Sequence, residues 1–156
     1  MPVPAAITYS DGITGSNTIA GREGTSEVLQ FEHTLHIPLD RQRGTVSGKR
    51  VHSPVTLVKE IDTASPLLYQ ACAEGKKLAE LKIDWYRINE QGVEEKYFSH
   101  TLYDVKVSEV KAILPNTKDP RQEDLTHLEE VKLMYEKIEW RHEEGYEYSD
   151  SWKENA

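Results

Sequence analysis

Period-two alternation is the feature that most constrains this chain. Residues 27–37 read Glu-Val-Leu-Gln-Phe-Glu-His-Thr-Leu-His-Ile. On an extended backbone successive side chains point to opposite faces. Leu29, Phe31, His33, Leu35 and Ile37 then share one face, and Gln30, Glu32, Thr34 and His36 the other. That pattern predicts a half-buried strand. Val51, Val55 and Leu57 predict a second strand, with Pro54 near its start, where a missing amide donor is tolerated. Leu81, Ile83 and Trp85 share a face over 78–89. The turn Asn89-Glu90-Gln91-Gly92 leads into a return strand over 94–113. That strand sets Tyr103, Val105 and Val107 against Phe98 and Leu102, which predicts a bend with a bulge near 102–104. The last predicted strand, 127–142, is also apolar on both faces. Val131, Leu133 and Tyr135 lie on one, and Met134, Ile138 and Trp140 on the other. A strand with two apolar faces needs two covers: a helix, another sheet or another subunit.

Only one helix is predicted, over about 66–74. Ser65 is placed as its N-cap, Pro66 at its first turn and Gly75 just past its end. Leu67, Leu68, Ala71 and Cys72 form a short apolar stripe. A helix this short does not persist alone and must lean on the sheet. Seven or so strands with one helix define a mainly β fold: a closed or nearly closed two-sheet β-barrel, or a sandwich. Closure removes the strand edges that such a fold otherwise exposes. The 156 residues are read as a single domain without internal repeats. Its tail, 143–156, is acidic and is expected to be loosely ordered or docked through Tyr146, Tyr148 or Trp152.

Two polar segments carry no hydrophobic period. One is 115–126. The other, 38–50, holds Pro38, Asp40, Gly44, Ser47 and Gly48 together with Arg41, Arg43, Lys49 and Arg50, and is read as a long loop. Loops of that length are often functional. The chain as a whole has 19 basic and 27 acidic residues, a net charge of −8. A nucleic acid or an anionic membrane would be repelled, and no basic stripe offsets this. A positive loop in a negative chain fits the acidic surface of another copy of itself. No apolar run reaches the roughly 20 residues that span a bilayer. The start, Met1-Pro2-Val3-Pro4-Ala5, has neither basic nor long apolar character and does not read as a signal peptide.

His33 and His36 fall on opposite faces of a strand and cannot share one metal ion. His52, His100, His127 and His142 are scattered along the sequence. Cys72 is the only cysteine, is read as a small buried hydrophobe, and forms no disulfide within the chain. No nucleophile elbow, phosphate loop or dinucleotide fingerprint is present. The acidic pairs Glu94-Glu95, Glu129-Glu130 and Glu143-Glu144 are adjacent on strands, so their carboxylates point apart. The expectation is a protein without catalytic, metal or cofactor residues.

The ordered landmarks are Phe31-x-His33, Pro38-x-Asp40, Ser47-Gly-x-Arg50-Val-His52-x-Pro54, Lys59, Ser65-Pro66-Leu67-Leu68-Tyr69, Trp85-Tyr86-Arg87, Tyr97-Phe98, Asp119-Pro120, Tyr135-x-Lys137-Ile138-x-Trp140 and Trp152. This set resembles the haemolysin-coregulated protein (Hcp) family, the inner-tube proteins of the bacterial type VI secretion system, over about residues 3–153. The first 26 residues depart from it in the run Gly12-Ile-Thr-Gly15…Gly21-Arg-Glu-Gly24. The resemblance implies a phage tail-tube-like barrel of two sheets flanked by one helix. It implies six copies in a ring, rings stacked into a hollow tube, a contractile sheath around it, a spike protein at its tip and effector proteins carried in its lumen. It implies a protein made in the cytoplasm, then secreted to the extracellular space or a target cell without a cleaved signal peptide. Under it, the 38–50 loop becomes the candidate oligomer contact, with Pro38, Leu39, Asp40, Arg41, Arg43, Gly44, Val46, Gly48, Lys49 and Arg50 as its residues. The rival reading is a monomeric small-ligand-binding β-barrel carrier, which requires one dominant internal cavity.

Overall fold

The structure is a computed structural model that describes residues 3–46 and 48–151. Its main sheet is antiparallel throughout and closes on itself. We number its strands with the rest in chain order: β1 (Ala5–Tyr9), β2 (Ser26–Glu32), β7 (Val55–Glu60), β8 (Lys77–Ile88), β9 (Glu94–Ile113), β10 (Leu128–Met134), β11 (Lys137–His142) and β12 (Glu147–Ser151). The order is β10-β7-β2-β1-β8-β9-β11-β12, and β10 also pairs with β9. Six strands therefore form a ring, from which β11 and β12 extend as a flap. The single helix, α1 (Ser65–Glu74), packs against β9. The fold is mainly β, as its alternation predicts.

The 20-residue β9 makes closure possible. Its first half, Phe98–Tyr103, pairs with β11, and its second half, Lys106–Ile113, pairs with β10. Between them Asp104 takes φ +52°, a left-handed conformation that bends the strand. This is the bend predicted near 102–104, and it changes what the two apolar faces do. Leu102 before the kink and Val105 and Val107 after it all enter one core.

The same happens to the predicted strand 127–142. It is two strands, β10 and β11, separated at Tyr135-Glu136. The break lets Val131, Leu133, Tyr135 and Ile138 all bury in that core, while Trp140 packs partly against it. The apolar faces of these strands are thus covered within the subunit, and no second copy is needed to hide them. With Ile7, Val55, Leu57, Leu81 and Ile83 they form one contiguous cluster. Fully burying each such side chain contributes about 1.5–3 kcal/mol.

Three local expectations are corrected. The alternation over 27–37 is broken by a register shift between Val28 and Gln30, which buries Val28 and leaves Leu29 exposed. Leu35 and Ile37 are exposed as well, because regular pairing with the body ends at Glu32. Leu67 faces solvent, whereas Leu68 and Ala71 carry the buried side of α1.

Ser65 is not the N-cap. That position is Ala64, and Ser65 turns inward. Its hydroxyl donates to Glu129 Oε1 at 2.7 Å and accepts from the Asp62 amide at 2.9 Å. The cause lies beneath it. Lys59 is fully buried and bonds Glu129 Oε1 at 2.5 Å and Asp62 Oδ1 at 2.8 Å. A buried ion pair needs every available donor. Asp62 also accepts from the Ala64 amide, which serves the helix start. At the other end Gly75 adopts φ +63°, and amides of Gly75 and Lys76 bond the last carbonyls, as its placement predicts.

Of the two expectations for the tail, docking through Tyr148 is the one its described part meets. Residues 147–151 are not loose but form β12, paired with β11 from Lys137↔Ser151 to Arg141↔Glu147. Tyr148 stacks on Trp140 with ring centroids 6.1 Å apart. The expected contribution of Trp152 lies outside the described residues.

Candidate assembly arm

The segment read as a long loop is a β-ribbon arm. Two short antiparallel pairs continue one another away from the body: β3 (Leu35–His36) with β6 (Val51–His52), and β4 (Leu39–Asp40) with β5 (Thr45–Val46). The pairing of its outer part needs no hydrophobic period, because Leu39, Thr45 and Val46 stay exposed. At its base the Ser53 amide donates to the Thr34 carbonyl, and the Ser53 hydroxyl accepts from the Thr34 amide. At its tip Asp40 Oδ1 accepts from the Gln42 and Arg43 amides, and Gly44 supplies φ +63°. Pro38 separates β3 from β4, where a missing donor is harmless. At ~3.3 Å per residue the tip reaches at most about 20 Å from the base.

Nine of the ten candidate contact residues lie in the outer part of this arm. Leu39 is 69% and Val46 59% exposed, and they face each other in register. Pro38, Arg41, Arg43, Gly44, Gly48 and Lys49 are exposed too, and Asp40 is half-buried. The arm therefore presents an apolar pair rimmed by positive charge. The tenth residue, Arg50, is different. Its Nε and Nη2 donate to the two carboxylate oxygens of Asp150 at 2.5 and 2.9 Å. It ties the arm's root to β12 within the subunit.

The root holds more than that pair. His52 Nε2 lies 2.8 Å from Asp150 Oδ2, and His52 Nδ1 lies 2.7 Å from the Tyr135 hydroxyl. His33 Nε2 approaches the same hydroxyl at 2.6 Å. Beyond it His100 packs 6.0 Å from the His33 ring and accepts from Trp85 Nε1 at 2.9 Å. Histidines that look scattered in sequence are thus gathered around Tyr135. Burial lowers the pKa of His33, with His52 adding to it, and lowers His100 to about 4. The hydrogen bonds of Arg50, with those of His52, hold Asp150 below the usual carboxylate range against the opposing effect of burial. Burial raises Tyr135. Among the described residues, no group of three or more His, Cys, Asp or Glu side chains is placed to hold a metal ion.

Concave regions lie at the periphery. One of about 490 Å³ is lined by the 87–95 hairpin, and one of about 480 Å³ by residues 114–127. Neither opens into the core, so the carrier reading gains no support. No helix among the described residues is long and apolar enough to cross a membrane.

A ring-closed antiparallel sheet around one buried apolar cluster, with a ribbon arm and one flanking helix, defines a mainly β, tube-protein-like fold. Comparison with known proteins gives the family. A sequence model described as type VI secretion system effector, Hcp, matches residues 7–142. The Major exported protein of Pseudomonas aeruginosa is 38% identical over 146 residues, 93% of this chain and 85% of that protein. Among solved structures, the Hcp1 protein of E. coli EAEC 042 is 37% identical with a TM-score of 0.82, covering 97% of this chain and 99% of that one. The secreted protein Hcp3 from Pseudomonas aeruginosa is 32% identical with a TM-score of 0.74, covering 96% and 98%. This chain belongs to the Hcp family of type VI secretion proteins.

Proposed function

We propose that this chain is a structural subunit of the type VI secretion inner tube. Six copies form a ring, rings stack, and effector proteins travel in the lumen behind a spike protein, driven by a contracting sheath. The subunit leaves the cytoplasm with the tube and reaches the extracellular space or a target cell. Nothing in this role requires catalysis.

Family membership supports the reading, and one observation carries it for this chain: the arm exposes Leu39 and Val46 at the end of a ribbon that contributes nothing to its own core. Exposed apolar pairs rimmed by charge are the anatomy of an interface. In a ring the contact is heterologous, so the arm meets a different patch on its neighbour. Acidic clusters are exposed for it, among them Glu123-Asp124 and Glu143-Glu144. Complementary charge of this kind sets encounter and register more than affinity.

The test is the pair of variants Leu39→Glu and Val46→Glu, followed by light scattering. Both leave the core untouched, so circular dichroism stays native while ring formation is lost. Rings that persist in both variants would refute the arm as the assembly contact.

A further inference from the structure

The arm's outer apolar side chains are solvent-facing, so packing does not set its pose. A polar network holds its root, and the geometry of the hydrogen bonds from His33 to Asp150 assigns their protons. Asp150 is an acceptor, so His52 donates to it through Nε2. The neutral His52 ring then accepts at Nδ1, so the Tyr135 hydroxyl donates there. Tyr135 oxygen in turn accepts from His33 Nε2. Every hydrogen bond has one direction, running from His33 through Tyr135 and His52 to Asp150. One added proton can be accommodated by reversing the Tyr135 hydroxyl. A second places two imidazolium rings on one hydroxyl oxygen.

We propose that His33, Tyr135 and His52 form an acid-sensitive latch, which fixes the arm on the body at neutral pH and lets it go when more protons enter the chain of hydrogen bonds than it can hold. The groups facing the pair agree with this. From β12, Asp150 compensates one positive charge, but Arg50 on the arm already shares that carboxylate. From β9, His100 is a third imidazole beside His33. Its Nδ1 is occupied by the Trp85 N–H of β8, which favours its neutral form. Trp140 of β11 packs on the other side of His33 and offers no charge. These groups set one carboxylate against one guanidinium and three imidazoles, with the Tyr148 phenol beside Arg50. Burial of His33 delays its protonation until the solution is distinctly acidic. That acid would loosen assembled rings rests on the tube reading; the latch itself does not.

Hydrogen exchange on the intact protein, read together with light scattering, tests both separately. Going from about pH 7.5 to about pH 5, amides of residues 34–53 should exchange at least about tenfold faster after correction for intrinsic rates, while β8 and β9 stay protected. His33→Gln keeps a donor for Tyr135 but cannot titrate, and should abolish the acid response. Arm exchange that ignores pH, or an acid response retained in His33→Gln, overturns the latch. Accelerated arm exchange in rings that stay whole supports the latch and removes the arm from the assembly contact. Should His33→Gln fail to fold, proton NMR of the parent protein decides. A His33 titration curve that departs from a single site supports the latch, and an independent single-site His33 curve overturns it.

Discussion

At the residue scale, two sets of buried titratable side chains bear most on stability: an ion pair and the histidines. Lys59 and Glu129 are both fully buried, and Glu129 Oε2 has no hydrogen-bond partner among the described residues. Lys59 pairs with Asp62 as well, so it is the lysine whose removal leaves buried carboxylates without their cation. Lys59→Met should cost about 3–5 kcal/mol, and the double variant Lys59→Met/Glu129→Leu should recover part of that. Urea denaturation checks both. The second group is histidine. His100 is held neutral down to about pH 4, so folding excludes a proton that the unfolded chain accepts below about 6.5. His33 is shifted in the same direction. Stability is therefore full above pH 6.5 and is lost as pH falls through that window. The His100 contribution is on the order of 3 kcal/mol. Denaturant midpoints from pH 8 to pH 4 should fall accordingly, and His100→Gln should flatten the profile. Arg50 also belongs to this scale. Reversing its charge would set a carboxylate against Asp150, so an Arg50→Glu variant probes the root of the arm as well as its contacts.

At the element scale, much was legible and the failures share a cause. Gly75 ends α1 and the 89–92 turn opens β9 as their chemistry predicts, because both signals are local. The alternation of Leu81 and Ile83 survives in β8 because no bulge interrupts it there. By contrast, nothing in Val28-Leu29-Gln30 signals the register shift that exposes Leu29. Residues 147–151 show no apolar period, since β12 is held by edge pairing and by Tyr148 on Trp140. The arm is invisible for the same reason: a solvated ribbon needs hydrogen bonds, not hydrophobic spacing. The root network is assembled from residues about a hundred positions apart, and only the fold brings His52 to Asp150. The bend in β9 was legible, and it rests on Asp104. A β-branched residue is strained at its positive φ. Asp104→Val should lose about 1–2 kcal/mol, while Asp104→Gly should hold or gain stability. Thermal melts separate the two.

At the scale of the whole molecule, the subunit is self-sufficient. Its ring of strands closes, and its two-faced strands bury both faces at home. On the tube reading proposed above, assembly is then not forced by leftover core surface and rests on the arm and on complementary charge. Charge-steered contacts weaken with salt while a packed core does not. Raising salt should dissociate rings without melting subunits, as sedimentation at several ionic strengths would reveal.

The most direct measurement is the mass of the particle that the purified chain forms near neutral pH and moderate salt. Native mass spectrometry should find a species of six times the 17.9 kDa chain mass, and electron micrographs of the same sample should show rings. A folded protein that stays at the mass of one chain at every concentration, with no rings in any field, would contradict the account.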